Sequence, residues 1–172
     1  MTTILARRTF VALLLAAGGV VPAAAQQAPV VVYLVRHAEK LDDSRDPPLS
    51  DAGKARAEEL ARTLADAGVT HVWSTDFART RSTAAPAAAR AGLQVQVYDP
   101  SKAREFVEQL KRTPGRHLVV GHSNTTPALV QLLGGTPGAA ISDTEYDRLY
   151  VVVIDPGGTT STLLRFGAPA SK

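Results

Sequence analysis

Residues 30–35, VVVYLV, form an unbroken apolar run rich in β-branched side chains. That is the pattern of a strand covered on both faces, as in a parallel sheet. Further on, apolar positions recur at helical spacing. Ala57, Leu60, Ala61 and Leu64 make one stripe of a helix expected over 51–67, with Ser50 as cap and Gly68 as stop. The intervening 41–49, LDDSRDPPL, reads as a loop. THVWS, 70–74, reads as a second short strand. A helix is expected over 77–90, capped by Thr75 or Asp76 and kinked at Pro86. LQVQVY, 93–98, alternates and reads as a third strand near a sheet edge. Residues 101–112 form an amphipathic helix with Phe106, Val107 and Leu110 inward, and Pro114-Gly115 turns into a fourth strand at 117–120. A helix over 125–133 tolerates Pro127 in its first turn. After a loop over 134–143 come strands at 149–154 and 161–166, joined by Pro156-Gly157-Gly158. The alternation predicts an α/β three-layer sandwich: a mostly parallel central sheet, helices on both faces, and a closing antiparallel hairpin.

Residues 1–25 stand apart. Arg7 and Arg8 precede the apolar stretch VALLLAAGGVV, and Pro22-Ala23-Ala24-Ala25 follows. A basic region, an apolar region and a small-residue cleavage site make a secretory signal. Arg7-Arg8-Thr9-Phe10 also resembles a twin-arginine export signal. An uncleaved anchor is the weaker reading, because Gly18 and Gly19 interrupt an already short apolar core. The expected organisation is a signal peptide over 1–25 and one domain over 26–172, periplasmic or secreted. Losing Arg7 and Arg8 lowers the net charge from +3 to about +1. No basic run then remains to suggest nucleic acid, and no further stretch is long enough to span a bilayer. The chain has no cysteine, which excludes disulfides and thiolate metal sites.

Candidate chemistry collects where the predicted strands end. Parallel strands share one carboxyl edge, and ligands of open α/β sheets bind in the crevice there. The first strand delivers Arg36, His37 and Glu39. The second delivers Ser74, Asp76 and, one helical turn on, Arg79. The third delivers Asp99 and the fourth Gly121-His122-Ser123-Asn124. Two guanidinium forks can neutralise a phosphate dianion. Arg79 lies near a helix N-terminus, and the amides of Ser123 and Asn124 precede another; both settings favour anions. One histidine can act as nucleophile through a neutral ring nitrogen, and a second, protonated, can hold phosphoryl oxygens as charge builds. The set suits phosphoryl transfer through a phosphohistidine without a metal or other cofactor. His37 and Glu39 lie only two positions apart with no third ligand at metal spacing, so a metal site is not expected.

Leu34-Val35-Arg36-His37-Ala38-Glu39 resembles the RHG/RHA signature of the histidine phosphatase superfamily, the phosphoglycerate mutase-like proteins. Ser74-Thr75-Asp76-Phe77-Ala78-Arg79 with Thr83-Ala84 is similar to that family's S-x-x-x-x-R-x-x-x-T-A segment. Val120-Gly121-His122 matches its GH motif, and Leu49-Ser50-Asp51-Ala52-Gly53 its L-[ST]-x-x-G element. The resemblance implies His37 as the phosphorylated nucleophile and Arg36, Arg79 and His122 as the phosphate pocket. It implies a phosphorylated small molecule or phosphoprotein as partner, inorganic phosphate as product, and no cofactor. The family's mutases carry a glutamate acid in an insertion after the third strand. Here only Val97-Tyr98-Asp99-Pro100 stands there. Asp99 is the positional candidate for proton donor, Glu39 its rival, and capping of the helix begun by Pro100 the structural alternative for Asp99. The compact chain resembles the short family members, including those that act on phosphohistidine in proteins. The expected function is an exported, metal-independent phosphatase; the alternative is a non-catalytic phospholigand-binding module with the same pocket. His71 and His117, at strand starts, carry no expected role. Arg81 reads as a solvated helix residue, with a place in the phosphate pocket the weaker reading, and Asp42, Asp43, Ser44 and Arg45 as a loop that either meets substrate or is merely solvated. Tyr146 reads as packing, with lining of the site mouth the weaker reading, and Trp73 and Phe77 as core.

Overall fold

The computed structural model describes residues 28–169; the expected export segment, 1–25, lies outside them. The first strand is β1 (Val30–Arg36), followed by helix α1 (Asp51–Thr63), β2 (His71–Ser74), α2 (Ala78–Ala91) and β3 (Val95–Val97). After a 3-10 turn (Pro100–Lys102) come α3 (Ala103–Arg112), β4 (Arg116–Gly121), α4 (Thr125–Leu132), β5 (Arg148–Asp155) and β6 (Gly158–Arg165). The strands form one sheet in the order β3-β2-β4-β1-β5-β6. β1, β4, β2 and β3 run parallel, and β5 and β6 add as an antiparallel pair beside β1.

Alternation along the central strands divides the core in two. Val32 and Leu34 of β1 pack with Val119 on one face, under Phe106, Val107 and Leu110 of α3 and Leu129 and Val130 of α4. Val35, Leu118 and Val120 point to the other face, under Leu60 and Ala61 of α1 and Ala84, Ala87 and Ala88 of α2. The α1–α2 layer is rich in alanine, so these helices lie close to the sheet.

Element boundaries shift by a few residues from the sequence reading, and one local expectation needs correcting. Pro86 lies within α2, which continues past it to Ala91. Neither Thr75 nor Asp76 caps that helix. The residue at its N-terminus is Phe77, whose side chain makes no capping bond. The cap comes from the distant loop instead: Asp46 Oδ1 accepts from the Ala78 N–H at 2.8 Å. That loop is closed at its base by a bridge between Lys40 and Leu49.

Candidate active site

Strand register brings the site together. Arg36 of β1 lies opposite Gly121 of β4. The next residues, His37 and His122, therefore leave the sheet side by side, with ring centroids 5.4 Å apart and planes at 68°. The His37 N–H holds this register by donating to the Gly121 carbonyl at 2.9 Å. Gly121 itself is required by close approach. A Cβ there would lie 2.7 Å from Thr125 Oγ1 and 3.0 Å from the Tyr98 hydroxyl. Ser74 of β2 faces Val120, so Thr75 emerges next to this pair.

The loop that carries His37 is pinned from three sides. Ala38 N–H donates to Thr83 Oγ1 at 2.9 Å, and Thr83 in turn donates to the Arg79 carbonyl. The Glu39 carbonyl accepts from Ser50 N–H at 3.0 Å, while Ser50 caps α1 through Gly53 N–H at 3.1 Å. Gly53 packs against the Glu39 backbone so closely that a Cβ would sit 2.1 Å from its carbonyl oxygen. Two separate helices thus fix one short loop.

The protonation of both histidines follows from their partners. His37 Nδ1 lies 2.8 Å from the Ala38 carbonyl, which only accepts, so Nδ1 carries the hydrogen and Nε2 keeps its lone pair. Burial, reinforced by the positive charge of Arg36, pushes the His37 pKa down to about 3, against the opposing carbonyl bond. Neutral His37 is a competent nucleophile at ordinary pH. For His122, Thr80 Oγ1 lies 2.9 Å from the Thr75 and Phe77 carbonyls and must donate there. It therefore accepts from Thr75 Oγ1 at 3.0 Å. Thr75, its one hydrogen used, accepts from His122 Nε2–H at 2.9 Å. Burial and the nearby Arg79 and Arg36 push the His122 pKa down to about 4. In the free protein His122 is therefore neutral, because burial and two guanidinium groups oppose its charge.

The two arginines differ in how they are held. The Arg36 side chain, following Leu34 and Val32 on the α3–α4 face, reaches under the segment before β5. There its Nη1 bonds the carbonyls of Ser142, Asp143 and Glu145 at 2.6, 3.2 and 3.1 Å. That segment is tied down by buried charges. Arg148 grips the Glu145 carboxylate with two bonds of 2.7 and 2.8 Å and reaches the Ala139 and Ala140 carbonyls. Arg165 adds a bond to Glu145 and one to Asp147. The Arg148 bonds come first among the causes that hold Glu145 down at about 2. Arg79, at the start of α2, lies with its guanidinium over the Phe77 ring, 4.5 Å from its centre. Its Nη1 is 3.6 Å from Asp46 Oδ1, an ion pair too long for a hydrogen bond. Arg36 Nε and Arg79 Nη1 are buried and have no hydrogen-bond partner.

Neither carboxylate considered as proton donor is free for that work. Asp99 caps the 3-10 turn, accepting from Ser101 N–H and Oγ at 2.9 and 2.7 Å; these bonds lower its pKa, which favours the ionised form. It borders a separate cavity of about 410 Å³ with Trp73, Val97 and Phe106. Glu39 is gripped by Arg56 of α1 through Nε, at 2.9 and 3.0 Å, and Nη2, at 2.7 Å. Its part is to tie the His37 loop to α1. Ser123 and Asn124 form the turn between His122 and α4. Arg81 pairs with Asp76 at the surface.

The sequence reading missed one participant and placed two others chiefly elsewhere. Asp46 caps α2 and faces Arg79. Phe77, expected in the core, is half-buried against the His122 ring, edge-on with centroids 5.1 Å apart. Tyr146, expected as packing, stands 6.1 Å from the His37 ring centre with the Arg36 guanidinium over its own ring at 4.3 Å. Among the described residues, no group of three or more His, Asp or Glu is placed to hold a metal ion, and no helix is long and apolar enough to cross a membrane.

The fold is that of an α/β protein with two histidines and two arginines gathered at the carboxyl edge of its sheet. Residues 32–101 match the family model of the histidine phosphatase superfamily, branch 1. The "Probable phosphoglycerate mutase GpmB" of Yersinia pestis is 30% identical over 152 residues, covering 79% of this chain and 69% of that protein. Two solved structures share the fold. The protein histidine phosphatase SixA, complexed with tungstate, has a TM-score of 0.61 at 21% identity, over 82% of this chain and 96% of that one. A mycobacterial glucosyl-3-phosphoglycerate phosphatase has 0.62 at 15%, over 83% and 100%. The chain belongs to the histidine phosphatase superfamily and is an enzyme of the histidine phosphatase type.

Proposed function

We propose that this enzyme is an exported, metal-independent phosphatase that hydrolyses phosphomonoesters, or a phosphoprotein, through a phosphohistidine on His37. The observation that carries the reading is the pair of buried guanidinium nitrogens without a hydrogen bond, Arg36 Nε and Arg79 Nη1, beside two neutral histidines. Unpaired buried donors are costly unless a ligand satisfies them, and a phosphoryl group supplies the matching acceptors. The tungstate complex of SixA supports a tetrahedral oxyanion as the ligand class.

In this mechanism Arg36 and Arg79 take the phosphoryl oxygens. His37 Nε2 attacks phosphorus in line and the ester oxygen departs. Water then attacks the phosphohistidine and releases inorganic phosphate. A dianion between the arginines offsets the charge that keeps His122 neutral, so substrate binding favours the imidazolium and gives it a phosphoryl oxygen to hold. Purified His37→Ala is expected to hydrolyse p-nitrophenyl phosphate at least about 10³-fold more slowly than wild type, and wild-type activity is expected to survive a chelator. Full activity in the variant would overturn the mechanism.

The engagement of Asp99 and Glu39 elsewhere favours one other reading, a phospholigand-binding module without turnover. A phosphate-dependent rise in melting temperature with no hydrolysis across a phosphoester panel would select it. Export rests on the pattern of residues 1–25. N-terminal sequencing of protein recovered from the periplasm is expected to begin near Gln26.

A further inference from the structure

Cleaving a phosphomonoester of a poor leaving group needs a proton for the departing oxygen. Both carboxylates that the sequence offers for it are engaged elsewhere: Asp99 in a cap, Glu39 with Arg56. We propose that the Tyr146 hydroxyl is the proton donor to the leaving group, an inference that rests on the phosphatase reading above. Tyr146 sits in the segment just before β5, half-buried, its ring 6.1 Å from that of His37 and tilted by 52°. The Arg36 guanidinium over the ring, at 4.3 Å, fixes where the ring stands. The segment is also rigid where it must be. Its carbonyls at Ser142, Asp143 and Glu145 bond Arg36, and the flanking Glu145 and Arg148 side chains are locked to each other. Tyr146 is thus registered against the same arginine that binds phosphate.

The steps balance. His37 Nε2 forms the P–N bond as the P–O bond to the leaving group breaks. The Tyr146 proton passes to the departing oxygen and leaves a phenolate on the ring that packs against the Arg36 guanidinium. Water attacks the phosphohistidine, its proton returns to the phenolate, and neutral His37 and inorganic phosphate result.

The test compares kcat/KM for p-nitrophenyl phosphate, whose leaving group needs no proton, with that for ethyl phosphate, whose leaving group does. Tyr146→Phe keeps the ring over Arg36. It is expected to change the first by no more than about threefold and to lower the second about 10²-fold, with tungstate affinity unchanged. Equal losses on both substrates, no loss on either, or a matching fall in tungstate affinity would overturn the proposal and make Tyr146 a packing residue. His37→Ala, run alongside, separates the two readings. If it retains full activity the phosphohistidine mechanism itself has failed. If it is inactive while Tyr146→Phe shows no leaving-group dependence, only the donor assignment has failed.

Discussion

The sheet carries a pair of histidines at each end. At the amino edge, His71 of β2 lies opposite His117 of β4, and their rings stack at 4.7 Å. At the carboxyl edge stand His37 and His122, 5.4 Å apart. His37 and His117 are both almost fully enclosed, and burial lowers the pKa of both. Burial and lowered basicity therefore do not mark a site. The difference lies in what the ring nitrogens do. His117 Nδ1 accepts from the Trp73 indole N–H at 3.1 Å, and its Nε2–H donates to the Thr113 carbonyl at 2.9 Å. Nothing is left for a ligand. His37 makes one bond to its own loop and keeps Nε2 available, between arginines with unused donors. Unfilled hydrogen-bonding capacity beside positive charge separates chemistry from packing.

The comparison breaks most sharply on exchange of the two mutations. His37→Ala is expected to abolish turnover, at least about 10³-fold, while costing less stability than His117→Ala because it orphans no side-chain donor. His117→Ala is expected to do the reverse. It removes a buried ring and orphans the Trp73 indole N–H, a loss of about 3 kcal/mol in denaturant unfolding, with activity per folded molecule retained. A His117→Ala protein that folds normally but has lost catalysis would collapse the distinction.

Next in size is the scaffold of Arg36. Glu145→Ala leaves the Arg148 guanidinium buried without its carboxylate and is expected to cost about 3–5 kcal/mol of stability. Because the Arg36 carbonyl clamp belongs to the same segment, oxyanion affinity is expected to fall with it, measured by tungstate titration below the melting transition. Thr75→Val tests the hydroxyl chain behind His122. Loss of the acceptor for its Nε2–H is expected to lower kcat/KM about tenfold, about 1.4 kcal/mol, without a matching loss of stability. A separate effect is expected on pH dependence. His37 and His122 are neutral in the free protein, with pKa values lowered to about 3 and about 4. Both are therefore more basic when unfolded, so stability is fully present above about pH 6.5 and declines as pH falls toward those values. Bound tungstate is expected to offset the arginines and favour protonated His122, so its affinity is expected to weaken as pH rises above about 4, where free His122 loses its proton.

How much of this was readable in advance depends on how local each cause is. The β-branched run of β1, the stripe of α1 and the Gly/Pro punctuation each declare themselves within a few residues, so the sandwich, the hairpin and the convergence of Arg36, His37, Arg79 and His122 were legible. Side-chain assignments that depend on distant partners were not. The α2 cap comes from Asp46, 32 positions upstream, so local capping rules pointed to Thr75 and Asp76. Glu39 looked chemical until α1 brought Arg56 against it. Asp99 before Pro100 and Ser101 had the local form of a cap, and that alternative is what the structure adopts. Tyr146 was assigned chiefly to packing because its neighbours, Arg36 and His37, come from a strand distant in sequence.

The central claim is that phosphorus passes through His37. Rapid quenching of wild-type enzyme with a ³²P-labelled phosphomonoester, under single-turnover conditions, tests it most directly. The account predicts transient acid-labile, base-stable label on the peptide that contains His37, and none in His37→Ala. Turnover with no protein-bound label at any quench time, or label on a peptide without His37, would contradict it.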